Sequence, residues 1–245
     1  MARAGTLVLG HRGGRGVGWP AENTMAAFER AHGEGADGVE LDVRLCASGE
    51  VVVFHDPDLM RATGGQDARA IESLTMSELA RVRLFAGAEH APGLAEVLRL
   101  CRERDLMLNV EMKHDVGDKL ALARAVVREL AGHAGPVIVS SFDPRLLWLA
   151  RWAGMRAPTA VLTHQKQRHA MICVRALAHR PFAAGVHFER MQADRCRSAR
   201  AHRRGLFAGA WTVNEPAEAR ALAAAGIDWL ISDAPGLIRR ALSGP

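Results

Sequence analysis

Five short β-type runs recur through the second half of the chain: Val137 to Ser140, Thr159 to Leu162, Ala184 to His187, Phe207 to Trp211 and Trp229 to Ser232. Their starts lie about 22 to 25 residues apart, the length of one strand, one helix and two loops. Between them sit segments rich in Ala, Leu and Arg, at Pro144 to Ala153, Arg168 to His179, Ala193 to Arg204 and Pro216 to Ala225. A first helical turn accepts proline because the missing N–H would have no partner there, so Asp143-Pro144 and Glu215-Pro216 read as helix starts. Gly154, Gly205 and Gly226 read as helix stops.

The first half continues the pattern with strands at Thr6 to Gly10, Gly38 to Val43 and Met107 to Met112. Helices are expected from Thr24 to about His32, Gly93 to about Glu103 and Lys119 to Leu130, with a last one at Pro235 to Leu242. Eight strands alternating with eight helices predict an α/β chain closed as a parallel (β/α)8 TIM barrel, in preference to an open doubly wound sheet. A chain of 245 residues matches one such domain, spanning 1–245. One unit is irregular: Val51 to Phe54 adds a strand-like run, and residues 57–92 then read as an insertion over the barrel mouth, with a short helix near Leu74 to Leu79.

No run approaches the roughly 20 apolar residues that span a bilayer, so stable membrane insertion is not expected. Met1 to Gly5 carries no apolar signal region, and a cytoplasmic location is the expectation. Cys46, Cys101, Cys173 and Cys196 are too widely spaced for a C-x-x-C zinc or redox motif and read as reduced, mostly buried thiols. The net charge of +5 is nearly all arginine. Its densest cluster, Arg195, Arg197, Arg200, Arg203 and Arg204, spreads around a helix without interleaved aromatics; a solvated face fits it, and no nucleic-acid partner is expected.

Chemistry enters at the strand ends. In Val39-Glu40-Leu41-Asp42-Val43 the two acids share one face of a strand, their Cα atoms roughly 7 Å apart, aimed at the lumen. Asn109, Glu111 and Lys113 repeat the device on the next barrel strand, which sets Glu111 beside Glu40 and Asp42. Three carboxylates without His or Cys neighbours suit one hard divalent cation, Mg²⁺ or Ca²⁺, better than zinc; a buried ion-pair network with Lys113 is the alternative. His11-Arg12-Gly13-Gly14 ends the first strand with a base, a planar cation and backbone able to approach an anion. His55 of Phe54-His55-Asp56-Pro57 supplies a second imidazole at the same mouth, and two such groups can share base and acid duties near neutral pH.

Taken together, His11-Arg12-Gly13, Pro20-Ala21-Glu22-Asn23-Thr24, Glu40-Leu41-Asp42-Val43, His55-Asp56, Glu111-Met112-Lys113 and Trp211-Thr212-Val213-Asn214 stand in an order that resembles the glycerophosphodiester phosphodiesterases over essentially the whole chain. The resemblance implies a barrel hydrolase that converts small-molecule glycerophosphodiesters to glycerol 3-phosphate and an alcohol with a divalent cation. It implies His11 and His55 as the catalytic pair, Glu40, Asp42 and Glu111 as metal ligands, and Arg12 and Lys113 as phosphate contacts. Glu22 falls in a motif that the family keeps near the site, Asn23 and Thr24 suffice as a helix cap, and Trp211 is placed to line the substrate pocket.

Two positions depart from the family pattern. Ala91-Pro92-Gly93-Leu94 lacks a threonine before the leucine, and His187 stands at the expected end of the sixth strand, where asparagine is frequent, so that it would alter contacts near the leaving group. The rival readings are a barrel phospholipase of D or C type acting on lysophospholipids and a non-catalytic glycerophosphodiester-binding module. Leu59, Met60 and Phe85 are the few large apolar residues of the insertion, little for membrane docking, and binding alone needs no proton-transfer pair. The head group, the choice of ion, the duty of each histidine and the oligomeric state, a homodimer included, are left open by the sequence.

Overall fold

The computed structural model describes residues 5–164 and 184–243. The expected helix at Arg168 to His179 and Cys173 lie outside them. The strands are β1 (Leu7–His11), β2 (Gly38–Leu45), β3 (Val51–Val53), β4 (Met107–Met112), β5 (Val137–Ser141), β6 (Thr159–Leu162), β7 (Gly185–Glu189), β8 (Phe207–Trp211) and β9 (Trp229–Ser232). All but β3 pair in parallel in the order β1-β2-β4-β5-β6-β7-β8-β9, and β9 returns to β1 through Leu7↔Trp229 to Gly10↔Ser232. The result is the expected closed barrel. Helices α1 (Met25–Gly33), α3 (Leu94–Glu103), α4 (Lys119–Leu130), α5 (Pro144–Trp152), α6 (Arg195–His202), α7 (Pro216–Ala224) and α8 (Pro235–Ser243) alternate with the strands, and α2 (Met76–Leu79) lies in the insertion.

Alternation along each strand splits the core in two. Val39, Leu41, Val43, Leu108, Val110 and Met112 point outward and pack with helix residues such as Phe28, Leu98 and Val126. Leu9, Ile138, Ala160, Trp229 and Ile231 fill the lumen. Gly209 makes this filling possible: a Cβ there would stand 2.2 Å from the Trp229 indole nitrogen, so only a bare backbone leaves room for the ring.

The Val51 to Phe54 run does not join the barrel; β3 folds back antiparallel on β2, with Val43 opposite Val53. Beyond it the insertion builds a small core of its own from Phe54, Leu59, Ile71, Leu74, Leu79 and Leu84. Its helix α2 is started by Thr75 and Glu78, each side chain accepting from the other's backbone N–H. Leu59 is fully buried in that core, while Met60 and Phe85 are exposed. Cys46 and Cys101 are buried as expected; Cys196 is exposed, because its position on α6 belongs to the solvent face that also carries Arg195, Arg197 and Arg200. Among the described residues no helix is long and apolar enough to cross a membrane.

Candidate active site

Strand register brings the acidic side chains together. His11 is level with Glu40 across β1 and β2, and Asp42 is level with Glu111 across β2 and β4. One oxygen from each of Glu40, Asp42 and Glu111 falls within 4.8 Å of the others, and all three residues are buried. Burial, reinforced by Asp42 and Glu111, pushes the Glu40 carboxyl well above its ordinary pKa. Burial also raises Glu111, against the pull of Lys113. Asp42 goes the other way: burial opposes ionisation, but the charges of Lys113 and Arg12 prevail and hold it low.

Lys113 Nζ donates to Asp42 Oδ1 at 3.2 Å and to Glu111 Oε1 at 2.9 Å. Arg12 pairs through Nε with Asp42 Oδ2 at 3.1 Å and through Nη1 with Glu22 Oε1 at 2.7 Å. Its backbone N–H donates to Glu40 Oε2 at 3.1 Å, which its left-handed φ of 53° allows. Within the cluster, Lys113 and an Arg12 shared with Glu22 thus face three carboxylates. This deficit of positive charge, with an all-oxygen donor set held against full ionisation, fits a hard divalent cation.

Each histidine is held by a carboxylate. His11 Nδ1 lies 2.7 Å from Asp233 Oδ1, and its Nε2 faces Glu40 at 3.9 Å. Burial lowers the His11 pKa, partly offset by the Asp233 hydrogen bond, so the ring is neutral near pH 7 with Nδ1–H donating and Nε2 carrying the lone pair. His55 Nδ1 lies 2.6 Å from Asp56 Oδ1, and burial again lowers its pKa, with Asp42 opposing. The buried Arg44 guanidinium donates to the His55 carbonyl oxygen at 3.0 and 2.8 Å and to the Asp115 carboxylate at 2.8 Å, which fixes the main chain of that loop.

The sequence pattern does not single out Asp233, Arg15, Arg61 or Arg44. Asp56 adjoins a singled-out histidine, and Asp233 follows the last strand directly, the position at which a barrel displays side chains at its mouth. Asn23 needs a correction: the helix cap is Thr24 alone, accepting from Ala27 N–H, while Asn23 Nδ2 donates to Asp42 Oδ2 at 2.9 Å.

His187 also needs correction. Strand β7 runs on to Glu189, so His187 sits inside the barrel, fully buried, accepting at Nε2 from Trp229 Nε1 at 3.2 Å. Burial pushes its pKa down to about 3. Trp211 does end its strand, edge-on to Phe142 with ring centres 5.4 Å apart; Phe142 directly follows β5, which is not a neighbour of β8, so the two rings lean toward each other across the mouth.

The chain matches the glycerophosphoryl diester phosphodiesterase family over residues 11–237. It is 29% identical over 243 residues to a glycerophosphodiester phosphodiesterase of Caldanaerobacter subterraneus, covering 94% of this chain and 95% of that one. It is 31% identical to a glycerophosphodiester phosphodiesterase of Bacillus altitudinis, covering 94% of this chain and 95% of that one. Among solved structures, a phosphodiesterase of Oleispira antarctica in complex with the product sn-glycerol-3-phosphate superposes with a TM-score of 0.84 at 26% identity, covering 98% of each chain.

Proposed function

Because the chain belongs to the glycerophosphoryl diester phosphodiesterase family, we propose that it hydrolyses glycerophosphodiesters to glycerol 3-phosphate and an alcohol, with one Mg²⁺ or Ca²⁺ ion. The observation that carries the reading is a pair of imidazoles, His11 and His55, each held at Nδ1 by a carboxylate beside a buried cluster of three more. A binding module has no use for two oriented proton-transfer groups.

Glu40, Asp42 and Glu111 would hold the ion, which when bound supplies positive charge against the phosphoryl oxygens. Arg12 and Lys113 add fixed positive charge beside that cluster and would contact the phosphate once the ion competes for their present carboxylate partners. One histidine accepts a proton at Nε2 from the glycerol 2-hydroxyl, whose oxygen attacks phosphorus. The other, entering the step as the imidazolium, gives its Nε2 proton to the departing alkoxide. A cyclic phosphate results, and the same pair, with duties reversed, opens it with water. Trp211 and Phe142 would line part of the mouth.

The test is to assay glycerol 3-phosphate release from glycerophosphocholine, glycerophosphoethanolamine and a lysophospholipid, with and without chelator. Release from the first two that depends on the ion supports the reading. A preference for the lysophospholipid would move it to a phospholipase-type barrel, against the burial of Leu59 in the insertion core. Diesters lacking the neighbouring hydroxyl should be cleaved far more slowly, since a well-placed internal nucleophile is worth roughly 7 to 11 kcal/mol of barrier; equal rates would indicate direct attack by water.

A further inference from the structure

The two histidines are the ends of one arc of alternating charge that crosses from the barrel into the insertion. From His11 it runs to Asp233 (2.7 Å), then Arg15 Nε (2.8 Å), then from Arg15 Nη1 to Glu22 Oε2 (3.5 Å). From Glu22 Oε1 it continues to Arg61 Nη2 (2.6 Å), from Arg61 Nε to Asp56 Oδ2 (2.5 Å), and from Asp56 Oδ1 to His55 Nδ1 (2.6 Å). Glu22 Oε1 is shared with Arg12. Glu22 is therefore a junction of three guanidiniums, and only one of them, Arg61, is carried by the insertion.

Arg61 is the one cation in that arc that touches both carboxylates on the His55 side. Its guanidinium separates Asp56 from Glu22, and its plane rests over the Phe85 ring at 5.1 Å from the centroid, so the insertion's own fold holds it. Asp56 spends one oxygen on His55 and the other on Arg61. Without the guanidinium, Asp56 would be free to rotate away from the imidazole, and two partly buried carboxylates would face each other with no cation between them.

We propose that Arg61 is a positioning residue for His55: by bridging Asp56 and Glu22 it sets the orientation of the His55 ring and ties it to the phosphate-facing Arg12, which makes the insertion part of the catalytic apparatus. This rests on the reading of His55 as a proton-transfer group. Arg61 itself touches neither His55 nor the carboxylate cluster. Its effect passes through Asp56, in the way that an outer carboxylate orients a working histidine.

The experiment compares Arg61→Gln and Arg61→Lys with the wild type, all as the full chain in saturating Mg²⁺, reading kcat and KM together with an NMR titration of the His55 imidazole. In Arg61→Gln kcat should fall about 10- to 100-fold with KM changed by less than about threefold, and Arg61→Lys should recover part of the loss. The groups facing His55 are Asp56 and Asp42, which favour its protonation, and Lys113 and Arg12, which oppose it. Loss of the guanidinium frees Asp56 to turn away, and His55 then loses the hydrogen bond and nearby negative charge that favour its protonation, so its titration should move down by about 0.5 to 1 pH unit while that of His11 stays in place. A Phe85→Ala variant, which removes the ring beneath the guanidinium but keeps its charge and both of its carboxylate partners, should move the His55 titration less than Arg61→Gln does. Wild-type kcat and an unmoved His55 titration in Arg61→Gln would overturn the proposal; so would a kcat loss with no titration change that Phe85→Ala reproduces. Should the wild type cleave no glycerophosphodiester, the proposed function fails, and the titration still decides whether Arg61 governs His55.

Discussion

His11 and Asp233 stand 222 positions apart in the chain and 2.7 Å apart in space, the histidine at the end of the first strand and the carboxylate just after the last. The closure of β9 on β1 makes this contact, so the orientation of one proposed proton-transfer group depends on the barrel having closed.

Asp233→Asn should lower kcat by about two to four orders of magnitude while leaving the fold intact. The amide can present N–H to Nδ1, which favours the tautomer whose Nε2 carries hydrogen and cannot accept a proton. Arg15 and Asn214, which also bind Asp233, keep the side chain in place. Steady-state kinetics with circular dichroism as a fold control test this; kcat within threefold of wild type would show that the Asp233 contact does not set the tautomer.

His11→Ala and His55→Ala should each reduce turnover by about two to four orders of magnitude, and the double variant by much less than the product of the two losses, since the pair acts as a unit. Titration calorimetry with Mg²⁺ should give near-normal binding in both, because neither side chain belongs to the carboxylate cluster. Near-normal turnover in His55→Ala would remove the acid–base pair from the mechanism.

Glu111→Gln should weaken Mg²⁺ or Ca²⁺ binding by at least tenfold, since one of three anionic donors becomes neutral. Exhaustive chelation should abolish activity of the wild type, with recovery on adding the ion back. Activity that survives chelation would exclude the metal role, and a Glu111→Gln protein that binds the ion normally but is inactive would assign this carboxylate another task.

His187 predicts a pH signature in stability. Its folded pKa, about 3, lies below the unfolded value near 6.5, so as pH falls through that window the unfolded chain takes up a proton that the folded protein refuses. Stability supplied by the neutral ring is complete above about pH 6.5 and drains away below it. Between pH 6.5 and 4.5, above the range where most carboxylates titrate, the wild type should lose about 2 to 3 kcal/mol more than a His187→Asn variant. Urea unfolding at several pH values measures the difference, and parallel curves for the two proteins would mean that His187 is protonated or solvated in the fold.

Gly209→Ala should destabilise the protein by about 1 to 3 kcal/mol, because the added methyl group collides with the Trp229 indole in a filled lumen. Denaturant unfolding followed by tryptophan fluorescence reports both the loss and the displaced ring. An unchanged midpoint would show that the lumen floor has slack.

Local pattern made the barrel and its acidic residues legible. The recurrence of βα units in the second half implied a closed parallel sheet, and period-two alternation put Glu40 beside Asp42, and Glu111 beside Lys113, on lumen-facing sides of two strands. Both are short-range properties of a strand, whereas the stagger between strands that sets Asp42 level with Glu111 belongs to the closed barrel. A strand end is less well defined by its own residues: β7 continues two residues past His187 because His187 and Glu189 both pair with β8, and this places the imidazole in the lumen rather than at the mouth.

What only the tertiary structure decided is the set of carboxylates and guanidiniums around the two histidines. Asp233 reaches His11 through barrel closure, Arg44 reaches His55 from inside β2, and Arg61 reaches Asp56 and Glu22 from an insertion with its own small core. Nothing in the neighbours of Arg61 along the chain distinguishes it from an ordinary surface charge. A hydrogen bond between side chains 39 or 222 positions apart is a property of the closed fold, because it depends on where separate elements come to rest and on no periodicity that a linear sequence can carry.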